Sequence, residues 1–527
     1  MNNNAAIKSL VTFAVVVVLA LFFGYFLTGL NGRFNLDFSD PLDDVVVIMA
    51  AVLAFPLLLR WHYEMLLFSV NANMIVFFLP GQAPLWLSVV PLSFGIAILH
   101  RTLTKNTHFI SVPQVTWSLL FLVAVIVVTG KMTGLGLRTI GGDMYGGKRY
   151  VYLLFAILAY FALTARRIPP ERAKWCIGLF LLGGVTNIIG DLLPYVPSWS
   201  YFIFWLFPPS GTDIVRGLDP DAVRFSGAYT AIGFVVMFML AIYGIRGIFS
   251  GGKIGRLILF CILFPFGLLG GFRSYIIIFG VIFLVQFFLE GLYRTRLLPK
   301  LAAVVIIAII ALFPLTPRLP FAVQRALSVV PLPLQIDPAA QVDAQNSWDW
   351  RVKIWEAVVP QIPQYFWLGR GYLITALDYN FLMGGDAAVH SAVAEDEGMT
   401  VSDDFHNGPL TILIPLGIWG AIGFLWFLFA SARIFYANYR YSLPDLQTMN
   451  TFMFAAFISK AFYFLVIYGS FYGDLLQFTA WLGLSVSLNG GVCRPARARP
   501  IAPQPVKPLG FRRFPPAPAP AFQRRTG

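Results

Sequence analysis

Charge is what this sequence has least of. Only 12% of its 527 residues are Asp, Glu, Lys or Arg, against 58% hydrophobic, and the mean hydropathy is +0.74. A water-soluble domain of this length cannot bury so much apolar surface, which excludes an ordinary globular enzyme. Cysteine is almost missing as well. Cys176, Cys261 and Cys493 fall in or beside apolar runs with no CxxC spacing, so neither a disulfide framework nor a cysteine metal site is expected. The short alternating segments of a membrane β-barrel are absent too. Nor does the N-terminal run "MNNNAAIKSLVTFAVVVVLALFFGYFLTGL" show a small-residue cleavage pattern, so it reads as a retained first span.

What the chain has instead is long apolar runs, each long enough for a hydrocarbon core of roughly 30 Å. The candidate spans are 7–30, 44–60, 63–79, 83–99, 113–130, 149–165, 175–192, 225–247, 257–272, 274–292, 299–315, 408–432, 447–468 and 471–489. The fold class is therefore an all-α polytopic integral membrane protein of about 12–14 helices. Alternate connections carry the basic residues: Arg60; Arg101 and Lys105; Arg166, Arg167, Arg172 and Lys174; Arg246, Lys253 and Arg256; Arg294, Arg296 and Lys300; Arg433 and Arg440. The positive-inside rule puts that side in the cytoplasm. The opposite side receives 31–43, 131–148, 193–224 and the longest loop, 316–407, which holds eleven acids and five Lys or Arg.

The domain plan that follows is an N-terminal bundle, 1–315, then the external loop, 316–407, with a helix near 347–359. C-terminal spans occupy 408–490, and 491–527 is a Pro-rich tail. From 493 onward that tail has eight Lys or Arg and no acid. It lacks the residues to build a core and is expected to lie disordered against the anionic inner leaflet. Its partner is the lipid bilayer; no nucleic acid is expected.

The external face holds the residues with chemical content. Arg224 opens one span in "DAVRFSGAY", and Arg273 opens another in "GLLGGFRSY". An arginine at a span end can be a snorkelling anchor. A cation at a helix N-terminus nevertheless opposes the macrodipole, and the two together favour an anion such as phosphate. "SWDWRVKIWEAVVP" reads as an external helix with Ser347 as its N-cap and a stop at Pro360. Arg351 and Trp355 are four apart and share a face. "WLGRGYL" is a glycine-permitted turn without a phosphate-loop signature. In "SDDFHNGPL", His406 follows Asp403 and Asp404 and precedes Asn407 just before a span. A neighbouring carboxylate can orient one ring nitrogen and free the other as a base. The stretch alone has too few ligands for a metal.

Taken in order, "GGFRSY", then "RVKIW", then "GRG", then "HNGPL" running into "LGIWGAIG", resembles the bacterial O-antigen ligase and O-antigen polymerase superfamily. The resemblance covers roughly 220–430 by motif. It implies metal-independent, cofactor-free, inverting glycosyl transfer at the periplasmic face of the bacterial inner membrane. The implied donor is a saccharide on undecaprenyl diphosphate. The implied acceptor is a sugar hydroxyl on lipid A-core or on a second lipid-linked glycan. Carried over residue by residue, Arg273, Arg351 and His406 are the catalytic set. Arg224, Trp355, Arg370, Asp403, Asp404 and Asn407 are substrate contacts. The acidic "SDD" is a departure that leaves Asp403 or Asp404 as an alternative base.

Two other readings compete. A metal-dependent polyprenyl-phosphate glycosyltransferase would use the acids of the first external loop, Asp37, Asp40, Asp43 and Asp44. A transporter would need polar residues near mid-span, for which Asn187, Asp191 and Lys460 are the candidates.

Overall fold

The computed structural model describes residues 59–77, 82–104, 109–134, 146–209, 225–250, 253–373 and 405–495. Outside the described residues lie most of the first two expected spans, the acidic loop 31–43, Arg224, Asp403, Asp404 and nearly all of the tail. The chain divides into one compact unit ending at Cys493 and a second from Arg494.

The first unit is helical. After a helical segment at 59–69 come α1 (Leu85–Leu103), α2 (Pro113–Thr133), α3 (Gly147–Thr164) and α4 (Ala173–Leu182), the last continuing as a 3-10 stretch, Gly183–Tyr195. Then follow α5 (Ser226–Phe249), α6 (Ile254–Phe266), α7 (Arg273–Leu289) and α8 (Leu297–Leu315). The long connection after α8 supplies α9 (Phe321–Leu327) and α10 (Pro338–Val358), followed by α11 (Gly408–Tyr441), α12 (Pro444–Phe462) and α13 (Phe471–Asn489). The strands described are a two-residue antiparallel bridge, Ile75–Val76 against Ala83–Pro84. Among the described residues seven helices are long and apolar enough to cross a membrane, and two shorter apolar segments, Ile254–Gly270 and Arg273–Leu289, accompany them. The all-α polytopic class follows.

Starts and stops obey local chemistry. Pro opens α2, α10 and α12, where its missing N–H costs nothing. Gly490, at φ +66, ends α13 in the left-handed conformation that L side chains avoid. Packing between spans relies on small residues: a Cβ on Gly483 would lie 2.9 Å from Leu163, so α13 meets α3 at close range. A polar bond joins the same two helices, Thr479 donating to the Ala156 carbonyl at 2.6 Å, and another links α12 to α7, Ser459 donating to the Ile278 carbonyl at 2.9 Å. Such bonds average only about 0.6 kcal/mol in membranes, so close packing carries most of the association. α8 buries no residue, leaving an apolar surface suited to a lipid environment.

The expected loop helix begins earlier than the sequence reading placed it. Asp337 is the N-cap, accepting from the Ala339 amide at 2.8 Å, and Pro338 takes the first helical position. Ser347 is therefore mid-helix. Its hydroxyl bonds back to the Asp343 carbonyl at 3.0 Å. An acid before proline is the stronger start signal, and it outweighed the serine.

Two spans are broken. α5 bends at Gly244 (φ +65, ψ 174) and α11 at Gly417 (φ +67, ψ −168), both glycine-only conformations. At the first break the Glu290 carboxylate accepts from the freed amides of Ile245 (2.9 Å) and Arg246 (2.8 Å). At the second, the "GRG" turn takes over the lost helical bonds. Ile418 N–H, which would ordinarily reach Ile414 O, donates to Phe366 O at 2.7 Å instead. Ile414 O accepts from Arg370 N at 2.8 Å and Pro415 O from Gly371 N at 2.9 Å.

Candidate functional site

One end of the bundle carries a cavity of about 950 Å³, lined by residues of α5, α7, α9 and α10, by His406 and by the end of α12. The wall includes Arg273, Arg325, Arg351, His406, Trp348 and Tyr468. The start of α5, the start of α7 and the start of α11 all meet it. The basic connections after α5, α7 and α11 sit at the other ends of those helices.

Arg273 is placed by its turn. Gly271 adopts φ +69, while a Cβ on Gly270 would come within 2.4 Å of Tyr229, so the glycine pair supplies both the reversal and the close approach to α5. Arg273 is then the first residue of α7, whose N-terminus has no side-chain cap. Its leading amides and the guanidinium present positive charge together, beside Ser274 in the cavity wall. Arg325 and Arg351 both repel the charge on Arg273, and Asp343 attracts it.

Arg351 comes from α10, on the face that also brings Asn346, Ser347 and Trp350 to the cavity. The far face is anchored by buried Ala340, Ala344, Ile354 and Val358. The Arg351 guanidinium lies 6.0 Å from the Tyr468 ring centroid, and its Nε is buried with no hydrogen-bond partner among the described residues. A charged donor left in this condition costs several kcal/mol unless an anion completes it.

His406 is the most constrained member. It has φ +50, a left-handed value shared by only one other non-glycine residue among those described, Gln82. Its ring stands edge-on between Trp350 (centroids 4.8 Å apart) and Tyr468 (4.9 Å). Both chain neighbours are pinned. Phe405 is buried with Ile354, Val358, Leu410 and Ile414, and its carbonyl accepts from Trp355 Nε1 at 2.9 Å. Asn407 is the N-cap of α11, its side chain accepting from the Leu410 amide at 3.2 Å. A backbone strain of roughly 1–3 kcal/mol is held in place by contacts on either side.

Of the residues singled out from sequence, Arg273, Arg351 and His406 thus line one cavity. Trp355, Asn407 and Arg370 do not line it. Trp355 and Asn407 fix the two neighbours of His406, and the Arg370 amide mends α11. Arg224, Asp403 and Asp404 lie outside the described residues.

Sequence reasoning missed Arg325, Tyr229, Trp350, Tyr463 and Tyr468, all of which line the cavity. For Arg325 a signal existed: a single charge inside the apolar run "PFAVQRALSVV". The tyrosines gave none, since aromatics recur throughout the chain.

No group of three His, Cys, Asp or Glu able to hold a metal occurs among the described residues. The three mid-span candidates for transport, Asn187, Asp191 and Lys460, are engaged internally. Lys460 Nζ pairs with Asp474 at 2.5 Å. Asp191 accepts from the Gly227 and Ala228 amides at 3.0 and 2.6 Å, and Asn187 donates to the Gly184 carbonyl at 2.7 Å.

No curated protein matches the chain. Residues 256–425, which include Arg273, Arg325, Arg351 and His406, match the family model described as O-antigen ligase. That segment of this helical membrane protein is similar to the O-antigen ligase family, in line with the resemblance its motifs carry to the O-antigen ligase and polymerase superfamily.

Proposed function

We infer that this protein transfers a glycan from a polyprenyl-diphosphate-linked saccharide, such as undecaprenyl diphosphate, to a sugar hydroxyl. The cavity then faces the periplasm across the bacterial inner membrane, with the basic tail in the cytoplasm. The observation that carries the reading is the meeting of Arg273, Arg351 and His406 in one cavity. That cavity lies at the bundle end away from the basic connections, the end that the positive-inside rule puts outside.

The chemistry is a single displacement. The acceptor oxygen forms a bond to C1 as the bond from C1 to the phosphate oxygen breaks, and its electron pair leaves with the diphosphate. His406 takes the proton from the acceptor hydroxyl. Attack opposite the leaving group inverts C1. Arg273 and Arg351 hold the developing phosphate charge, aided by the uncapped amides of α7. A diphosphate leaves readily, so no general acid is required, and two guanidinium groups do the neutralising work a metal would otherwise do. Trp348, 46% exposed at the cavity wall, offers an aromatic face to a pyranose.

The test is transfer from a lipid-linked donor by the full chain in nanodiscs, with and without EDTA. Activity that persists in EDTA and disappears in His406→Ala is the expected result. Activity lost to EDTA would instead point to the metal-dependent reading built on the acids of loop 31–43. Glycan analysis of a deletion strain separates the two outcomes of transfer: accumulated lipid-linked polymer means ligation, and loss of long glycan with single units kept means polymerisation.

A further inference from the structure

Arg325 lines the cavity beside Arg273 and Arg351, yet its situation is the reverse of theirs. It is only 6% exposed, and each of its three nitrogens has a protein acceptor. Nε donates to the Asp343 carboxylate, with which it forms an ion pair. Nη1 donates to the Gly271 carbonyl at 2.7 Å, and Nη2 to Ser347 Oγ at 2.9 Å.

These acceptors are not scattered. Gly271 lies two residues before Arg273, in the left-handed turn that aims it. Asp343 and Ser347 are one turn apart on α10, and Arg351 is the next turn along the same face. One planar guanidinium therefore grips the base of both arms. The bonds to Asp343 and Ser347 set the rotation of α10, and the bond to Gly271 sets its distance from the α7 turn. A lysine has a single nitrogen on a flexible stem and cannot bond in these three directions at once.

We propose that Arg325 is a positioning residue that fixes the separation of Arg273 and Arg351, so that the two open arginines match a diphosphate before any substrate arrives. The inference rests on the reading of those two as the diphosphate clamp. Asp343 completes the device. It offsets the third positive charge locally, which lets Arg325 sit next to two other cations without adding to their load on the substrate.

The rival is that Arg325 is simply a third phosphate ligand, and the two make opposite forecasts for Asp343. The full chain in nanodiscs is titrated calorimetrically with inorganic pyrophosphate. Positioning predicts that Arg325→Lys and Asp343→Asn each weaken binding by roughly 10-fold, the value of one charge-assisted hydrogen bond. The double variant should be no worse than either single one, because both cut the same link. If Asp343→Asn leaves the affinity unchanged or raises it, Arg325 is a direct ligand and the proposal falls.

A second readout needs no ligand. Spin labels at Val342 on α10 and Leu284 on α7, 57% and 59% exposed, report the distance between the two arms in the membrane. Arg325→Lys should broaden that distance distribution, while Arg273→Ala should not. An unchanged distribution in Arg325→Lys overturns the proposal even if the clamp is real. A broadened distribution in a protein that binds no pyrophosphate keeps the bracket and discards the clamp.

Discussion

The two ends of this bundle treat polar groups in opposite ways. Away from the cavity, many polar side chains within or near the spans close on one another: Asn450 with Asn489 at 3.0 Å, Asn438 with Ser485 at 3.0 Å, and Gln286 Nε2 with Glu290 at 2.8 Å. At the cavity, Arg273 and Arg351 present their charge to open space, and Arg351 Nε has no partner among the described residues. A protein selecting only for stability would not leave cations this way. On the proposed reading, the difference separates residues that keep the bundle together from residues kept open for a substrate.

Substitution at each end should separate activity from stability. The largest effect belongs to the cavity. His406→Ala is expected to lower glycan transfer by about 10²–10⁴-fold, and Arg273→Ala or Arg351→Ala by about 10²–10³-fold, with expression kept and the thermal midpoint no lower. A transfer rate within twofold of wild type in any of the three would erase the contrast.

Next comes the α11 break, where both properties should fall. Gly417→Ala puts a Cβ 2.8 Å from the Trp367 carbonyl in a conformation other residues avoid, which should cost about 2–3 kcal/mol in denaturation in detergent. It should also slow transfer, because His406 heads the half-helix being displaced.

Lys460→Met should act on stability alone, by about 1–3 kcal/mol. It leaves Asp474 with only the Ser470 amide at 2.9 Å, while the specific activity of the folded fraction holds. A drop in specific activity would instead favour a transport role for the mid-span charges. Smallest is Glu290→Gln at the Gly244 break, a loss of about 1 kcal/mol with transfer intact, since a neutral amide still accepts one of the two backbone bonds.

From about residue 83 onward the spans were legible in the sequence because run length and proline fix them locally: α2 begins at Pro113 and α13 ends at Asn489, where the apolar runs do. Arg273, Arg351 and His406 were legible because each stands at a span end or in a loop among glycines, tryptophans or acids that mark it. Other features are properties of contacts rather than of positions. Trp355 and Arg351 share a helical face by spacing, yet Trp355 turns to the Phe405 carbonyl and only Arg351 reaches the cavity. The "GRG" turn reads as a bare reversal, and only the distant Gly417 break gives its amides a task. Arg325 could be suspected as an isolated charge, but its three acceptors lie on two different segments that meet only in the fold.

The mended break in α11 has a consequence for how the protein comes to be made. A span with unpaired amides and carbonyls is costly in lipid, so Gly408–Leu416 cannot settle beside the rest of α11 until chain from the preceding loop supplies Phe366, Arg370 and Gly371. That chain is synthesised before α11 and must return to it after the span has inserted. The strained backbone of His406 is therefore expected to form only late, after docking of the loop's turn. On the proposed reading, biogenesis thereby carries its own safeguard: a chain whose loop turn has not docked on α11 has no assembled base with which to act.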